Sequence, residues 1–358
     1  MPEQGQTYHR CEKGAAVAEL EKPISICLFA SQYTTNSGLF GIYDTLSSVG
    51  AGWETFVTGE PVQVRFAVKV VAPTNEAFRS GSGVMVTPDA SIDDVTETDI
   101  CVLTGISASA TQPLGPEEAR VYDWLRDLHG RGTRLASACT AALYLAEAGV
   151  LDNVEATTHW AYGDLFRTHY PKVRLRLEKN LCFTDPHQGV VTSGGTTAWQ
   201  ELALFLITNY AGMEQAVRAA KFWLLADHGS LQSPFGAMPL GIPHGDSAIQ
   251  ACQTWVADNY AVENPVSAMV AHAGLAPTTF ARRFRQATGY TPKHYVQTVR
   301  VEEAKQLLES TDASVEQIGL EVGYEDAPSF RRLFKRTTGL SPAEHRKMFG
   351  RKRFDRYS

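Results

Sequence analysis

The sequence contains no uninterrupted run of eighteen apolar residues and therefore offers no segment that could cross a membrane as a helix. Its first 22 residues are polar and lack the apolar core of a signal peptide, so we expect a cytoplasmic protein with a loose N-terminal tail. The six cysteines include no pair separated by two residues, which argues against a zinc site or a disulfide framework. We therefore expect no metal and no cofactor, and we expect Cys27, Cys101 and Cys182 to be buried as small apolar residues.

The length of 358 residues is too great for one ordinary core, which predicts two domains. Charge divides unevenly between the two parts of the chain. Residues 1–246 carry 17 basic and 27 acidic side chains, whereas residues 247–358 carry 16 basic and 12 acidic ones. A basic domain joined to an acidic one indicates that the second part meets a polyanion.

Residues 23–226 alternate short β-rich segments with helical ones. Strands are predicted at Ile24–Ala30, Val64–Ala72, Ile100–Thr104, Arg134–Ala138 and Val190–Thr192. Helices are predicted at Pro116–Leu128, Thr140–Ala148, Thr197–Thr208 and Glu214–Leu225. This alternation is typical of an α/β sandwich, a mainly parallel sheet of the flavodoxin-like kind with helices on both faces. The Gly- and Pro-rich segment 227–246 is interpreted as a linker, residues 247–350 as an all-α domain, and residues 351–358 as a basic tail.

The C-terminal domain contains an internal repeat at an offset of 50 residues. Two pairs of segments match at this offset: Phe280–Phe284 with Phe330–Phe334, and Thr288–Pro292 with Thr338–Pro342. Each copy is predicted to be a short helix, a glycine turn at Gly274 or Gly323, and a second helix that starts near Pro277 or Pro328. This order is the signature of a helix-turn-helix unit, present twice.

The second helix of each copy has an apolar and a basic face. Helical spacing turns Phe280 and Phe284, like Phe330 and Phe334 in the second copy, toward the core. The opposite faces carry Thr278, Ala281, Arg282 and Arg285 in the first copy, and Pro328, Arg331, Arg332 and Lys335 in the second. A single basic face is typical of an ordinary solvated surface. Two such faces in register, each after a glycine turn, instead predict helices that lie in the major groove of double-stranded DNA.

Residues 250–348 resemble the AraC/XylS family of transcription regulators. The resemblance rests on the repeat, on a connecting helix near Thr298–Leu308 and on the segment Ser314–Ile318. It implies one rigid domain that places two recognition helices in neighbouring major grooves, roughly 34 Å apart. It assigns base contacts to Thr278, Ala281, Arg282, Ala327, Pro328, Arg331 and Arg332, and phosphate contacts to Arg283 and Lys335.

A strand, a turn of small residues and the start of a helix are predicted at Arg134–Ala142. Such an elbow holds Cys139 at a helix N-terminus, where the helix dipole favours the thiolate form of a cysteine. His159 follows twenty residues later. Cys139 and His159 are therefore a candidate pair of nucleophile and base.

Residues 24–226 resemble the PfpI-like branch of the class I glutamine amidotransferase-like fold, and AraC-type regulators with such a front domain form a known group. The resemblance rests on the elbow, on Ser193–Gly195 and on the segments 145–149 and 232–235. It implies a front domain that senses a small metabolite, either an amino acid or a quaternary amine. The expected ligand site comprises Cys139, Thr140, His159, Trp160, Ser193 and Gly194.

Catalytic members of this fold place a carboxylate near the cysteine early in the chain. The corresponding position, near Ser37 and Gly38, has no acid in this sequence. We therefore interpret the front domain as a catalytically inactive sensor within a homodimeric regulator that responds to a small-molecule effector. Two alternatives stay open: a cysteine-dependent hydrolase or glyoxalase-like enzyme tethered to DNA, and a redox sensor that works through oxidation of Cys139.

Overall fold

A computed structural model describes residues 22–60, 62–184, 189–225, 232–236 and 244–351 of the chain. The predicted N-terminal tail (1–22), linker (227–246) and basic tail (351–358) lie outside the described residues, except for residues 22, 232–236, 244–246 and 351. None of the described helices is both long and apolar enough to cross a membrane.

The front domain alternates strands with helices, as the sequence predicts. Its strands are β1 (Ile24–Phe29), β2 (Phe66–Ala72), β3 (Phe78–Arg79), β4 (Met85–Val86), β5 (Ala90–Ser91), β6 (Ile100–Leu103), β7 (Arg134–Ala138), β8 (Glu155–Ala156), β9 (Arg174–Leu175), β10 (Leu181–Phe183) and β11 (Val190–Ser193). Its helices are α1 (Asn36–Ser47), α2 (Ala119–Gly130), α3 (Ala142–Glu147), α4 (Gly163–His169), α5 (Trp199–Tyr210) and α6 (Met213–Phe222). The predicted strands and helices match within a few residues, whereas α1, α4 and the short strands β3, β4, β5, β8, β9 and β10 are not predicted.

Within the described residues, seven strands form one sheet in the order β10-β11-β7-β6-β1-β2-β5. All neighbouring pairs are parallel except the edge pair of β10 and β11, which confirms a mainly parallel sheet. The carboxyl ends of β1, β6, β7 and β11 meet at the same edge of the sheet. In open α/β sheets this edge is where ligands bind.

Both faces of the sheet are covered by helices, so each strand contributes to two cores. Along β1, Cys27 and Phe29 face one core, which contains residues of α2, α3 and α4, while Ile26 and Leu28 face the other. The second core contains residues of α1, α5 and α6. Cys27, Cys101 and Cys182 are buried, as predicted.

The C-terminal domain is helical throughout its described residues. Its helices are α7 (Ser247–Asn259), α8 (Pro265–Ala273), α9 (Pro277–Thr288), α10 (Pro292–Ser310), α11 (Val315–Glu321), α12 (Ala327–Thr338) and α13 (Pro342–Phe349). The pairs α8–α9 and α11–α12 are the two predicted helix-turn-helix units. Gly274 and Gly323 lie in the turns with φ of 62° and 86°, a backbone conformation that favours glycine.

Each helix-turn-helix unit has its own apolar core, and α10 belongs to both. Val299 of α10 packs with Phe280 and Phe284 of the first unit. Val301, only two residues further along α10, packs with Phe330 and Phe334 of the second. The long helix therefore fixes the two units relative to each other.

Candidate ligand cavity and nucleic-acid interface

Cys139 occupies the sharp turn between β7 and α3. Its φ is 58°, in the left-handed region that a residue with a side chain rarely adopts. The predicted strand, turn and helix start are confirmed, with one turn of 3-10 helix at Cys139–Ala141 between strand and helix. Strained backbone of this kind concentrates at functional sites, and here it holds the Cys139 side chain at the carboxyl edge of the sheet.

Two effects act in opposite directions on the protonation of Cys139, its burial and its place at a helix N-terminus. Burial raises the pKa of the Cys139 thiol, and it outweighs the hydrogen bonds from the backbone and side chain of Thr140 and the side chain of Thr196, which lower it. Helix α3 is six residues long and its dipole is correspondingly weak. Burial therefore opposes the thiolate form that the helix N-terminus favours.

His159 is a hydrogen-bond donor in this arrangement rather than a free base. Its Nδ1 accepts a hydrogen bond from the backbone N–H of Ala161 at 3.2 Å. Because Nδ1 accepts, the proton of the neutral imidazole is on Nε2. Burial lowers the pKa of His159, which favours the neutral ring. A general base for Cys139 needs an unoccupied ring nitrogen, and His159 offers an N–H instead.

A cavity of about 730 Å³ opens beside Cys139. Of the six residues predicted to form a ligand site, Cys139, Thr140 and His159 line it. The rest of the lining comes from loops at the carboxyl ends of the strands: Tyr33, Thr35, residues 106–109 and 112–115, Glu117, Tyr162 and Thr196. The Tyr162 hydroxyl donates to the carbonyl of Ala108 at 2.5 Å and so ties two of these loops together.

The other three predicted ligand residues lie outside this lining. The buried Ser193 hydroxyl donates to the carbonyl of Ser137 at 3.4 Å. Gly194 packs so closely against Gln232 that a Cβ at this position would lie 2.7 Å from the Gln232 Nε2. The Trp160 N–H donates to the Gln232 Oε1 at 3.1 Å, and Trp160 lines a different cavity, next to the C-terminal domain.

The acid of the cavity comes from a loop that the sequence pattern did not single out. Glu117, exposed in the turn before α2, is the one acidic residue in the described lining. Near the expected position of a catalytic acid, the residue that lines the cavity is Thr35. Its hydroxyl donates a hydrogen bond to the carbonyl of Gly105 at 2.9 Å. Ser37 is exposed and lies outside the cavity lining. Only the sheet topology brings residue 117 next to residue 139, so spacing along the chain gave no signal for Glu117.

Helix α9 presents its basic face to solvent, above the fully buried Phe280 and Phe284. The exposed residues of this face are Thr278, Ala281, Arg282 and Arg285. Arg283 is half-buried, and its guanidinium donates two hydrogen bonds to the Asp246 carboxylate at 2.7 and 2.8 Å. Arg283 is thus held in an ion pair within the protein, and its phosphate contact stays a prediction.

Helix α12 repeats this arrangement above the fully buried Phe330 and Phe334. Its exposed residues are Pro328, Arg331, Arg332 and Lys335, while Ala327 at its start is half-buried. The Glu316 carboxylate contacts the Arg331 guanidinium, and the Ser329 hydroxyl accepts a hydrogen bond from Arg332 at 2.9 Å. Both contacts hold the arginine side chains along the outer face of the helix.

Two matching basic helices, held by one long helix and joined to an α/β domain with an open cavity, define a two-domain DNA-binding transcription regulator. Family comparisons match both parts of the chain. Residues 25–209 match the DJ-1/PfpI family, and residues 269–348 match a helix-turn-helix domain. The chain belongs to the DJ-1/PfpI family and carries an AraC-type helix-turn-helix domain at its C-terminal end.

Individual relatives agree with this division. The chain is 28% identical to the HTH-type transcriptional regulator CdhR of Pseudomonas aeruginosa, over 75% of this chain and 77% of that protein. It is 24% identical to the HTH-type transcriptional regulator GlxA of Rhizobium meliloti, over 82% of this chain and 88% of GlxA. It is 30% identical to the isonitrile hydratase of Pseudomonas putida, over 50% of this chain and 68% of the hydratase. Relatives that match three quarters or more of the chain are here named as regulators, and the one that matches half is named as an enzyme.

Proposed function

We propose that this protein regulates transcription by binding a promoter operator in double-stranded DNA through α9 and α12, in response to a small molecule held beside Cys139. The observation that carries the proposal is the pair of basic outer faces in register, each backed by two fully buried phenylalanines. Cationic side chains spaced along a helix neutralise phosphates, and arginine binds the edge of guanine with two hydrogen bonds. The names of the regulator relatives support the same function.

Fluorescence anisotropy of the full chain on the DNA upstream of its own gene, across a salt series, tests this function. Arg282→Ala and Arg332→Ala are each expected to weaken specific binding by about 1–3 kcal/mol, because each removes a candidate base contact. Arg126→Ala, which removes an exposed arginine paired with Asp123 on α2, is the matched control and is expected to bind like the wild type. Unchanged binding of both recognition-helix variants would refute the assignment of α9 and α12.

The proposed effector is a small zwitterion, either an amino acid or a quaternary amine that carries a carboxylate, such as a betaine. The cavity combines the Glu117 carboxylate, the His159 N–H donor and the rings of Tyr33 and Tyr162. A carboxylate on the ligand suits the imidazole N–H, and a cationic nitrogen suits an acid and aromatic faces.

Isothermal titration calorimetry with amino acids and betaines tests this ligand class. Glu117→Gln is expected to weaken binding roughly tenfold, because a hydrogen bond to a charged group contributes about 1.5–3 kcal/mol. Glu214→Gln, on the exposed surface of α6, is the control. If neutral analogues gave a heat of binding and zwitterions gave none, the proposed zwitterionic class of effector would be contradicted.

In this proposal the front domain senses and does not catalyse. Burial raises the pKa of the Cys139 thiol, and the Nδ1 of His159 is already occupied by the N–H of Ala161. Both features oppose the activated nucleophile that covalent catalysis needs. The 30% identity to an isonitrile hydratase favours a second candidate, a cysteine-dependent enzyme. The variant Cys139→Ala separates the two hypotheses. If effector-dependent transcription survives in this variant, the front domain is a sensor. If the variant still binds DNA but no longer turns over an isonitrile, an amide or a glyoxal that the wild type converts, the front domain is an enzyme.

We also propose that the regulator is a cytoplasmic homodimer with domains at 23–226 and 247–350, joined by a linker at 227–246. An exposed apolar patch on the front domain supports the dimer. It consists of Phe56, Val57, Trp223 and Leu224, of which Phe56 and Leu224 are 78% and 87% exposed. Contiguous apolar patches of this kind mark interaction surfaces on soluble domains.

A further inference from the structure

A single segment forms the wall between the Cys139 cavity and the C-terminal domain. We name residues 159–167 the partition segment; it comprises a turn of 3-10 helix (Trp160–Tyr162) and most of α4. His159 and Tyr162 line the Cys139 cavity. Trp160, Asp164 and Arg167 line a second cavity of about 240 Å³ on the other side. Within this short segment, some residues therefore face the ligand cavity, and their neighbours in sequence face the DNA-binding domain.

The opposite wall of the second cavity belongs to the C-terminal domain and comprises Tyr290, four residues of α10 and Thr337 of α12. Tyr290, two residues beyond the end of α9, lies beside the partition segment, because it lines the same three cavities as Asp164 and Arg167. Arg167 is oriented by Asp164, whose carboxylate accepts a hydrogen bond from it at 2.8 Å. The Arg167–Tyr290 contact thus joins α4 directly to the turn that follows a recognition helix.

Tyr290 is in turn packed into the core beneath α9. Its ring contacts that of Tyr295 with centroids 6.4 Å apart, and Tyr295 meets the ring of Phe284 edge-on at 5.2 Å. Phe284 is fully buried on the inner face of α9. A displacement of Tyr290 is therefore transmitted through close-packed rings to the helix that carries Arg282.

Comparison of the two repeats shows that this turn does not itself need a tyrosine. Leu340 stands in the second unit where Tyr290 stands in the first. Both backbone N–H groups donate to the hydroxyl of the threonine two residues earlier, Thr288 or Thr338, at 3.2 Å. Because the turn has the same hydrogen bonds with leucine, the Tyr290 hydroxyl is accounted for by its contact with the front domain.

A second connection anchors the beginning of the partition segment. The Gln232 side chain donates to the carbonyl of Thr158 at 2.8 Å and accepts from the N–H of Trp160 at 3.1 Å. Four residues later, the carbonyl of Gly236 accepts a hydrogen bond from Lys305 of α10 at 2.6 Å. The segment is thereby held at one end through Gln232 and at the other through Arg167.

We propose that the partition segment couples occupancy of the Cys139 cavity to the position of α9 through the Arg167–Tyr290 contact. This inference rests on the proposed function, because it concerns how that cavity regulates DNA binding. A ligand that contacts His159 or Tyr162 shifts the segment, and Arg167 carries the shift to Tyr290. The second helix-turn-helix unit is linked to the first through α10.

Coupling between two binding sites is reciprocal, so operator DNA must also change the Cys139 cavity. The test measures the rate at which iodoacetamide alkylates Cys139 in the full chain, by mass spectrometry of the Cys139 peptide, with and without a DNA duplex selected from a random library. We expect DNA to change this rate by roughly fivefold or more in the wild type. Arg167→Gln and Tyr290→Leu are expected to reduce the DNA-dependent change to less than about twofold while the protein still binds the duplex.

The control and the fallback variant are both available in the chain. Arg120→Gln removes an exposed ion pair with Asp93 at 2.7 Å on α2 and is expected to keep the full wild-type change. Tyr290→Phe retains the packed ring and removes only the hydroxyl, so it replaces Tyr290→Leu if that variant does not fold. The coupling is overturned if Arg167→Gln and Tyr290→Phe show the same DNA-dependent change in the alkylation rate of Cys139 as the wild type. It is also overturned if the wild type binds DNA and the alkylation rate of Cys139 does not change. Failure of the proposed function gives a different result, since no duplex is then enriched from the library.

Discussion

At the scale of single residues, neighbouring arginines of α9 have different surroundings. Arg283 is bound to Asp246, and Asp246 also caps α7 by accepting a hydrogen bond from the N–H of Ile249 at 3.2 Å. Arg282 is exposed, and within the described part of the chain it makes no hydrogen bond or ion pair. One arginine therefore stabilises the domain while the next remains available for DNA.

Alanine at these two positions is expected to separate stability from DNA affinity. Arg283→Ala lowers the free energy of unfolding, because it leaves the Asp246 carboxylate without its ion-pair partner, and affects DNA affinity less than Arg282→Ala does. Arg282→Ala weakens DNA binding and leaves unfolding unchanged. Urea unfolding and anisotropy of both variants provide the measurements, and equal effects of the two on DNA affinity would contradict this division.

The Asp246 carboxyl also predicts a pH dependence of stability. The hydrogen bond from Arg283 holds the pKa of Asp246 below its ordinary value, with further lowering by the N–H of Ile249, although burial acts in the opposite direction. Because the folded pKa lies below the unfolded value of about 3.9, the stabilisation is present above that value and is lost as the pH falls through the folded pKa.

The free energy of unfolding of Asp246→Asn is therefore expected to lie below that of the wild type at about pH 6, with a difference that shrinks below about pH 4. Urea titrations at several pH values measure both curves. A difference of the same size at acid and neutral pH would assign the effect to packing instead of charge.

At the scale of elements, the connection between the domains depends on close packing of a turn against a linker residue. The turn after β11 brings Gly194 against the Gln232 side chain, where a Cβ would lie within 3.0 Å of three of its atoms. The adjacent Gly195 has no atom within 4 Å of the corresponding position and has a φ of −56°, which any residue adopts. The two glycines therefore form a natural pair of test and control.

Gly194→Ala is expected to displace Gln232 and destabilise the protein by about 1–3 kcal/mol, the usual effect of overpacking. Gly195→Ala is expected to leave the melting temperature within about 1 °C of the wild type, because its methyl group enters open space. Differential scanning calorimetry measures both. Equal melting temperatures of the two variants would mean that Gln232 moves freely and does not anchor the turn.

Elements with a repeating or apolar signal could be predicted from the sequence, and those without one could not. The apolar runs gave the central strands, and the 50-residue offset gave both helix-turn-helix units with their outer faces. Helix α4 is seven residues long and carries no such pattern. Glu117, Thr196 and Tyr290 acquire their surroundings only when distant segments meet, so no local spacing points to them. The burial that raises the pKa of the Cys139 thiol was likewise not predictable, because a sequence shows helix ends but not desolvation.

At the scale of the whole molecule, the apolar patch of the front domain predicts its oligomeric state. Phe56 stacks on Phe222 with centroids 6.0 Å apart, next to Trp223 and Leu224. Leu224→Glu and Phe56→Glu are expected to weaken dimerisation at least roughly tenfold, because each buries a charge if the patch is covered. Analytical ultracentrifugation measures the change.

Leu320→Glu, which changes an exposed leucine of α11 outside the patch, is the control for this experiment and is expected to sediment like the wild type. A wild type that is monomeric at micromolar concentration, with and without operator, would exclude the dimer. Dimers that persist in both patch variants would place the interface elsewhere on the chain.

The tyrosine that distinguishes the first repeat from the second also gives the bound protein a direction. Both recognition helices offer comparable basic faces, but the unit that carries Tyr290 borders the front domain in three cavities, whereas the second unit contributes Thr337 to one of them. Each chain therefore binds its DNA site in a defined orientation, with the front domain located nearer one end of the site. Inverting the operator in a promoter would leave the affinity for DNA unaltered and would move the front domain from one flank of the operator to the other. Orientation, and not strength of binding alone, would then decide what the polymerase encounters.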